Sequence, residues 1–271
     1  MTREFFEELT RRYHAYVDTF RTAEGTLAQM SQLKLDHTLQ VVEDAKRIMA
    51  GEAWSEEAYV IGEACALLHD VGRYSQLNEF GTFQDVKSID HAARGVEVIG
   101  SERLLDGLVE AERDRIMTAV AMHNKKSVPA TLAPETADLV HLVRDADKLD
   151  IFRVLEVAIG DGSLQRNPEI AWELQVKGPP SPAIVEAVRQ GLPVSYALVK
   201  TLSDFVLIQV GWLIRGLHYP AALRLASERR VLEYREAFLK TLSDDPGVDV
   251  CCEAARTYLS ERLNLPAVAL G

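Results

Sequence analysis

The stretch "ACALLHDVGRYSQ", Ala64 to Gln76, is an apolar run that ends in two adjacent ionisable residues, His69 and Asp70, with Gly72 just beyond. The apolar part reads as a buried helix. An imidazole and a carboxyl group at the end of such a helix are expensive, at roughly 2–7 kcal/mol for each polar group buried without a partner. The rest of the chain has to supply that partner.

Outward from this stretch, apolar residues recur at three- and four-residue spacing along most of the chain, and alternating β-branched runs are scarce. The pattern predicts an almost wholly α-helical protein. Helices are expected over Glu4 to Thr22, Thr26 to Ala50 and Ser55 to His69, the last with Ser55 as its cap and Glu56 and Glu57 in its first turn. "SQLNEFGTFQDVKSID", Ser75 to Asp90, reads as a loop, and helices resume over His91 to Gly100, Leu104 to His123 and Pro134 to Val157. "GDGSLQRNPEI" and "VKGPPSP" suggest a boundary near Gly160, after which the chain reads as helical again. The expected organisation is an N-terminal helix over 1–24 packed on a helical core over 25–160, with a helical extension over 161–271 packed on that core.

The composition is that of a globular protein: 271 residues, 47% hydrophobic and 26% charged. A net charge of -11 argues against an extended nucleic-acid surface, which needs concentrated Lys and Arg, but leaves room for a small basic pocket. Cys65, Cys251 and Cys252 are the only cysteines, a usage that suits a reducing compartment. The charged N-terminal stretch lacks the apolar core of a signal peptide, and "FVLIQVGWLI", Phe205 to Ile214, is too short to span a bilayer. A cytoplasmic protein with no membrane partner is expected.

Histidines and aspartates fall on inward faces. His37 shares the stripe of Met30, Leu33, Val41 and Ala45, and His91 that of Gly95 and Ile99. His123 follows Ile116, Ala119 and Val120, while Asp147 shares the stripe of Val140, Val143 and Ile151. One histidine on such a stripe reads as a core residue bonded to the backbone. Together with His69 and Asp70, these groups multiply the desolvation cost, which one divalent cation or a close pair would relieve. The set of histidines and aspartates without cysteine suits Zn, Mn, Fe or Co. His37, His69, Asp70 and Asp147 could hold one ion, and His91 and His123 a second, with Asp70 bridging the pair.

At these residues the sequence resembles the HD superfamily of metal-dependent phosphohydrolases, through "LDHTLQVVEDAKRI" around His37, "LLHDVGRY" around His69 and Asp70, and "LVRDADKLD" around Asp147. "SIDHAARGVEVI" and "AVAMHNKKSVP" are similar to the segments that add histidines in binuclear members. The resemblance implies an all-α HD-domain helical bundle with additional N- and C-terminal helices, one or two divalent transition metal ions, and hydrolysis of a phosphate ester in a small phosphorylated substrate. Two departures stand out. Arg73 occupies the place where many members carry lysine, and the "GYP" tripeptide of one class of cyclic-di-GMP phosphodiesterases is absent.

Metal ions in such a site polarise phosphoryl oxygens and activate water for in-line attack, so no side-chain nucleophile is required. Asp70, Arg73 and Lys148 are the candidate catalytic residues, and Arg73, Lys125, Lys126 and Lys148 the candidate phosphate contacts. Two rivals remain open: a di-iron oxygenase of the same fold acting on a small oxygenated or phosphonate substrate, and a non-catalytic module whose metal is structural. Asp85, Asp90, Asp145 and Asp150 could support the ligating histidines, although each taken alone reads as a surface or cap residue. "DFVLIQVGWLI" reads as a core or dimer helix, so a homodimer stays open. Trp54, Trp172 and Trp212 read as packing residues.

Overall fold

A computed structural model describes residues 1–174 and 177–264. The chain is all-α: no strand occurs among the described residues, and the one β-like pairing is an isolated bridge between Arg21 and Leu27. It divides into two compact units, Met1–Asp150 and Ile151–Gly271.

The first unit contains α1 (Arg3–Asp18), α2 (Gln29–Gly51), α3 (Glu56–Leu68), α4 (Gly72–Phe80), α5 (His91–Ser101) and α6 (Glu110–Met122). The division between units falls inside α7 (Pro134–Gly160). Helix α3 is the axis of the first unit. Every residue from Val60 to Leu68 is buried, and the helix packs against α1, α2 and α6. A helix apolar on all sides can only be a core helix, and full burial of side chains such as Leu67 and Leu68 is worth roughly 1.5–3 kcal/mol each. Its start is set as the sequence predicts, with the Ser55 side chain accepting from Ala58 N. The buried exception, Glu63, takes a guanidinium hydrogen bond from Arg3 at 2.5 Å.

Three elements differ from the sequence expectation. Helix α1 stops at Asp18, before a turn in which Thr22 N donates to Thr26 O at 2.8 Å. Helix α6 begins at Glu110 because Gly107 takes φ +102, a left-handed value that interrupts the helix expected from Leu104. The largest difference is α4, where a loop was expected. "RYSQLNEF" carries no apolar stripe, yet Tyr74 and Gln76 are buried, each with hydrogen-bond partners. The Tyr74 hydroxyl lies 2.9 Å from that of Tyr13 on α1.

The second unit contains α8 (Ser163–Arg166), α9 (Pro182–Arg189), α10 (Leu202–Gly211), α11 (Pro220–Glu228), α12 (Val231–Leu242) and α13 (Pro246–Leu263). Pro182, Pro220 and Pro246 each open a helix, where the missing N–H has no intrahelical partner to lose. Helix α10 starts with a capping box between Thr201 and Asp204, is buried from Leu202 to Val210, and packs against α9, α12 and α13. Trp172 meets Tyr196 and Phe205 edge-on, and Trp212 lies against Phe152, as packing residues would. No helix among the described residues is long and apolar enough to cross a membrane.

Candidate metal centre

Four imidazoles converge in the first unit, and each is held by the same device. His69 caps the C-terminus of α3 and its Nδ1–H donates to Ala66 O at 2.7 Å; His123 caps α6 and donates to Val120 O at 2.7 Å. His37, within α2, donates from Nδ1 to Asp150 Oδ2 at 2.6 Å. His91 is the first residue of α5 and donates from Nδ1 to Asp85 Oδ2 at 2.6 Å. The partners are carbonyl and carboxylate oxygens, which accept, so every Nδ1 carries a proton and Nε2 is the nitrogen left to face the centre.

Those four Nε2 atoms face one another and the carboxylates of Asp70 and Asp147. Asp70 Oδ2 stands 3.7 Å from His37 Nε2 and 3.6 Å from His69 Nε2. Its other oxygen, Oδ1, stands 3.4 Å from His91 Nε2 and 3.8 Å from His123 Nε2. Asp147 Oδ1 adds distances of 3.2 Å to His37 and 3.9 Å to His69. The fold thus brings together all the metal ligands expected from the sequence, and Asp70 offers one oxygen to each pair of histidines. His37, His69 and Asp70 form one group able to hold a metal ion, and Asp70, His91 and His123 another.

The donor set fits a cation on direct grounds. His37 Nε2 and His69 Nε2 are buried with no hydrogen-bond partner. His91 Nε2 and His123 Nε2 lie 3.0 Å apart, two lone pairs face to face that only a positive charge reconciles. Burial pushes His69 down to about 4, and burial with the nearby Arg73 guanidinium does the same to His91, so both stay neutral as ligands must. For His37, burial also opposes protonation, but the Asp147 and Asp150 carboxylates outweigh it and raise the pKa. Burial works against the Asp70 carboxylate as well, yet Lys34, His69 and Arg73 together hold its pKa well below the usual range.

Close packing at Gly72 makes this convergence possible. A Cβ at Gly72 would lie 2.5 Å from Gly95 N and closer still to His91 O. Only glycine lets the start of α4 touch α5 and bring Asp70 beside His91.

The basic residues singled out in the sequence are arranged less simply. Arg73 is turned inward, onto Asp70 and Asp85. Lys125 pairs with Asp90, and Lys126 is exposed. Lys148 donates to Arg144 O at 3.0 Å, and burial lowers its pKa to about 8. A residue not singled out, Lys34, donates to Asp70 Oδ2 at 2.7 Å and lies 5.5 Å from the centre of the Phe83 ring. Its signal was available, since Lys34 precedes His37 by one turn of the same helix. The surface reading of Asp85 and Asp150 is corrected, because each anchors an imidazole, and Asp145 is buried. Asp90 does cap α5, accepting from Ala92 N at 3.0 Å.

Residues 35–151 match the family model described as the HD domain, and that segment contains every residue of the centre except Lys34. No curated protein and no solved structure matches the chain. HD domains are generally those of metal-dependent hydrolases, and within the matched segment the fold supplies the histidines and aspartates that such chemistry needs.

Proposed function

We propose that this protein hydrolyses a phosphate ester of a small molecule, a nucleotide, phosphomonoester or phosphodiester, at a binuclear centre of divalent transition metal ions. His37, His69, Asp70 and Asp147 would hold one ion and Asp70, His91 and His123 the other. The observation that carries this is the common orientation of four imidazoles, each with Nδ1 tied to an acceptor and Nε2 turned toward the shared carboxylate of Asp70. A divalent ion pair held there supplies Lewis acidity toward a phosphoryl oxygen and lowers the pKa of water to the neutral range.

The remaining work falls to side chains. Asp150 and Asp85 fix the tautomer and angle of His37 and His91. Asp70, ionised despite its burial, provides the negative charge that both ligand groups share. Lys34, bonded to Asp70, and Lys148, next to Asp147 in the chain, are suited to receive a non-bridging oxygen, and the exposed Lys126 can draw an anion inward.

The test begins with elemental analysis of protein purified without chelator or polyhistidine tag, followed by a nucleotide, phosphomonoester and phosphodiester screen of the metal-loaded enzyme. About two ions per chain and turnover lost in His69→Ala and Asp70→Ala are expected. Unchanged turnover in those folded variants would sink metal catalysis, and two irons with a dioxygen-sensitive absorption band would point to the oxygenase instead.

A further inference from the structure

Arg73 follows Asp70 by one turn, where a basic side chain invites assignment to substrate phosphate. Its guanidinium has other partners. Nε donates to Asp70 Oδ1 at 3.3 Å, while one terminal nitrogen donates to Gln76 Oε1 at 2.9 Å, Phe83 O at 2.5 Å and Asp85 Oδ1 at 3.0 Å. The group also lies over the Phe83 ring, 5.8 Å from its centre, with 15% of the side chain exposed.

Gln76, fully buried, extends the same connection. Its amide donates to Asp85 Oδ1 at 3.0 Å, Ser88 Oγ at 2.8 Å and Ile89 O at 3.1 Å. The other oxygen of Asp85 receives the His91 Nδ1–H. Asp85 sits in a single 3-10 turn, Asp85–Lys87, between Gly81 at the end of α4 and Asp90 at the start of α5. No long helix holds this carboxylate in place, so its position depends on side-chain bonds from α4.

We propose that Arg73 and Gln76 are positioning residues that clamp Asp85 against His91 and thereby build the ligand group of Asp70, His91 and His123, and that Arg73 is not a contact for substrate phosphate. The proposal rests on the binuclear centre proposed above. A planar guanidinium can bond Asp70 and Asp85 at once; a lysine ammonium is a single point and cannot span the two in the same way. Arg73 would thus serve the second ion position rather than the substrate.

Cobalt loading separates the alternatives without any assay of activity. Wild-type protein, Arg73→Gln, Arg73→Lys, Gln76→Ala and Asp85→Asn are loaded with Co2+, and bound metal is measured by elemental analysis beside the visible absorption of cobalt and the far-ultraviolet circular dichroism. Wild type is expected to bind about two equivalents and each variant about one, with part of the cobalt absorption lost and helix content kept. Should Arg73→Gln fail to fold, Arg73→Lys and Gln76→Ala carry the test. Two equivalents in wild type and in the folded variants would overturn the clamp alone. A wild type that binds one equivalent overturns the second ion position and the clamp with it, whereas one that binds no cobalt overturns the metal centre itself.

Discussion

Asp150 accepts the Nδ1–H of His37 at 2.6 Å, completely buried, from a residue far along the chain. One turn earlier on the same helix, Asp147 stands 3.2 Å from the opposite nitrogen of that ring. A single imidazole is thus gripped by one carboxylate and presented, with a second carboxylate, to the centre. Replacing Asp150 with Asn keeps the shape and removes the charge that makes His37 a better donor. Metal affinity should fall by about 10- to 100-fold, read by competition with a coloured chelator; an unchanged affinity would leave Asp150 a packing residue.

Metal removal should destabilise the protein. An ion that binds only the folded state stabilises it by about 2.7 kcal/mol when its concentration is a hundred times its Kd. Chelator should therefore lower the Tm, and restoring the ion should raise it again. In Asp70→Ala, which removes the carboxylate common to both ligand groups, the metal-dependent shift should largely vanish. Scanning calorimetry with and without chelator measures both, and a Tm indifferent to metal in wild type would contradict the assignment of the ligands.

Gly72→Ala should be among the more damaging small substitutions in the first unit. The added methyl would collide with the backbone of Gly95 and His91 rather than with a side chain able to swing aside. Overpacking of this kind costs about 1–3 kcal/mol, and the same push displaces His91. The expected result is a lower urea midpoint together with weaker binding of metal; a variant as stable as wild type would mean that α4 and α5 part without penalty.

Tyr13 and Tyr74 predict an alkaline weakness. Burial pushes the Tyr13 phenol up to about 12 and raises Tyr74 further, while the same phenols in an unfolded chain ionise near pH 10. Because the folded values are raised, their contribution is fully present below about pH 10 and is lost as pH climbs, since the unfolded state gives up its protons first. The urea midpoint should be flat through neutral pH and then decline. Tyr74→Phe, which removes the more strongly shifted phenol, should make that decline shallower.

Much of this was legible in the sequence because it is local. The apolar period of "ACALL" makes a core helix wherever it is placed, Ser55 caps it as its position suggests, and the histidine of each motif falls on an inward face by counting residues. Helix α4 escaped because Tyr74 and Gln76 are buried by hydrogen bonds to partners outside the helix, leaving no apolar stripe to read. Asp85 and Asp150 read only as possible supports for a related reason: an aspartate looks the same in the sequence whether it faces water or anchors an imidazole.

The sequence by itself determined the helical class and which residues are the candidate ligands, since helical period and the inward placement of polar groups depend on neighbours a few residues away. Tertiary structure decided which nitrogen of each histidine carries the proton, which oxygen of Asp70 faces which pair, and that Arg73 turns toward Asp85. Those choices are made by hydrogen bonds whose strength falls steeply with distance and angle. They exist only once helices remote in sequence have set their atoms about 3 Å apart.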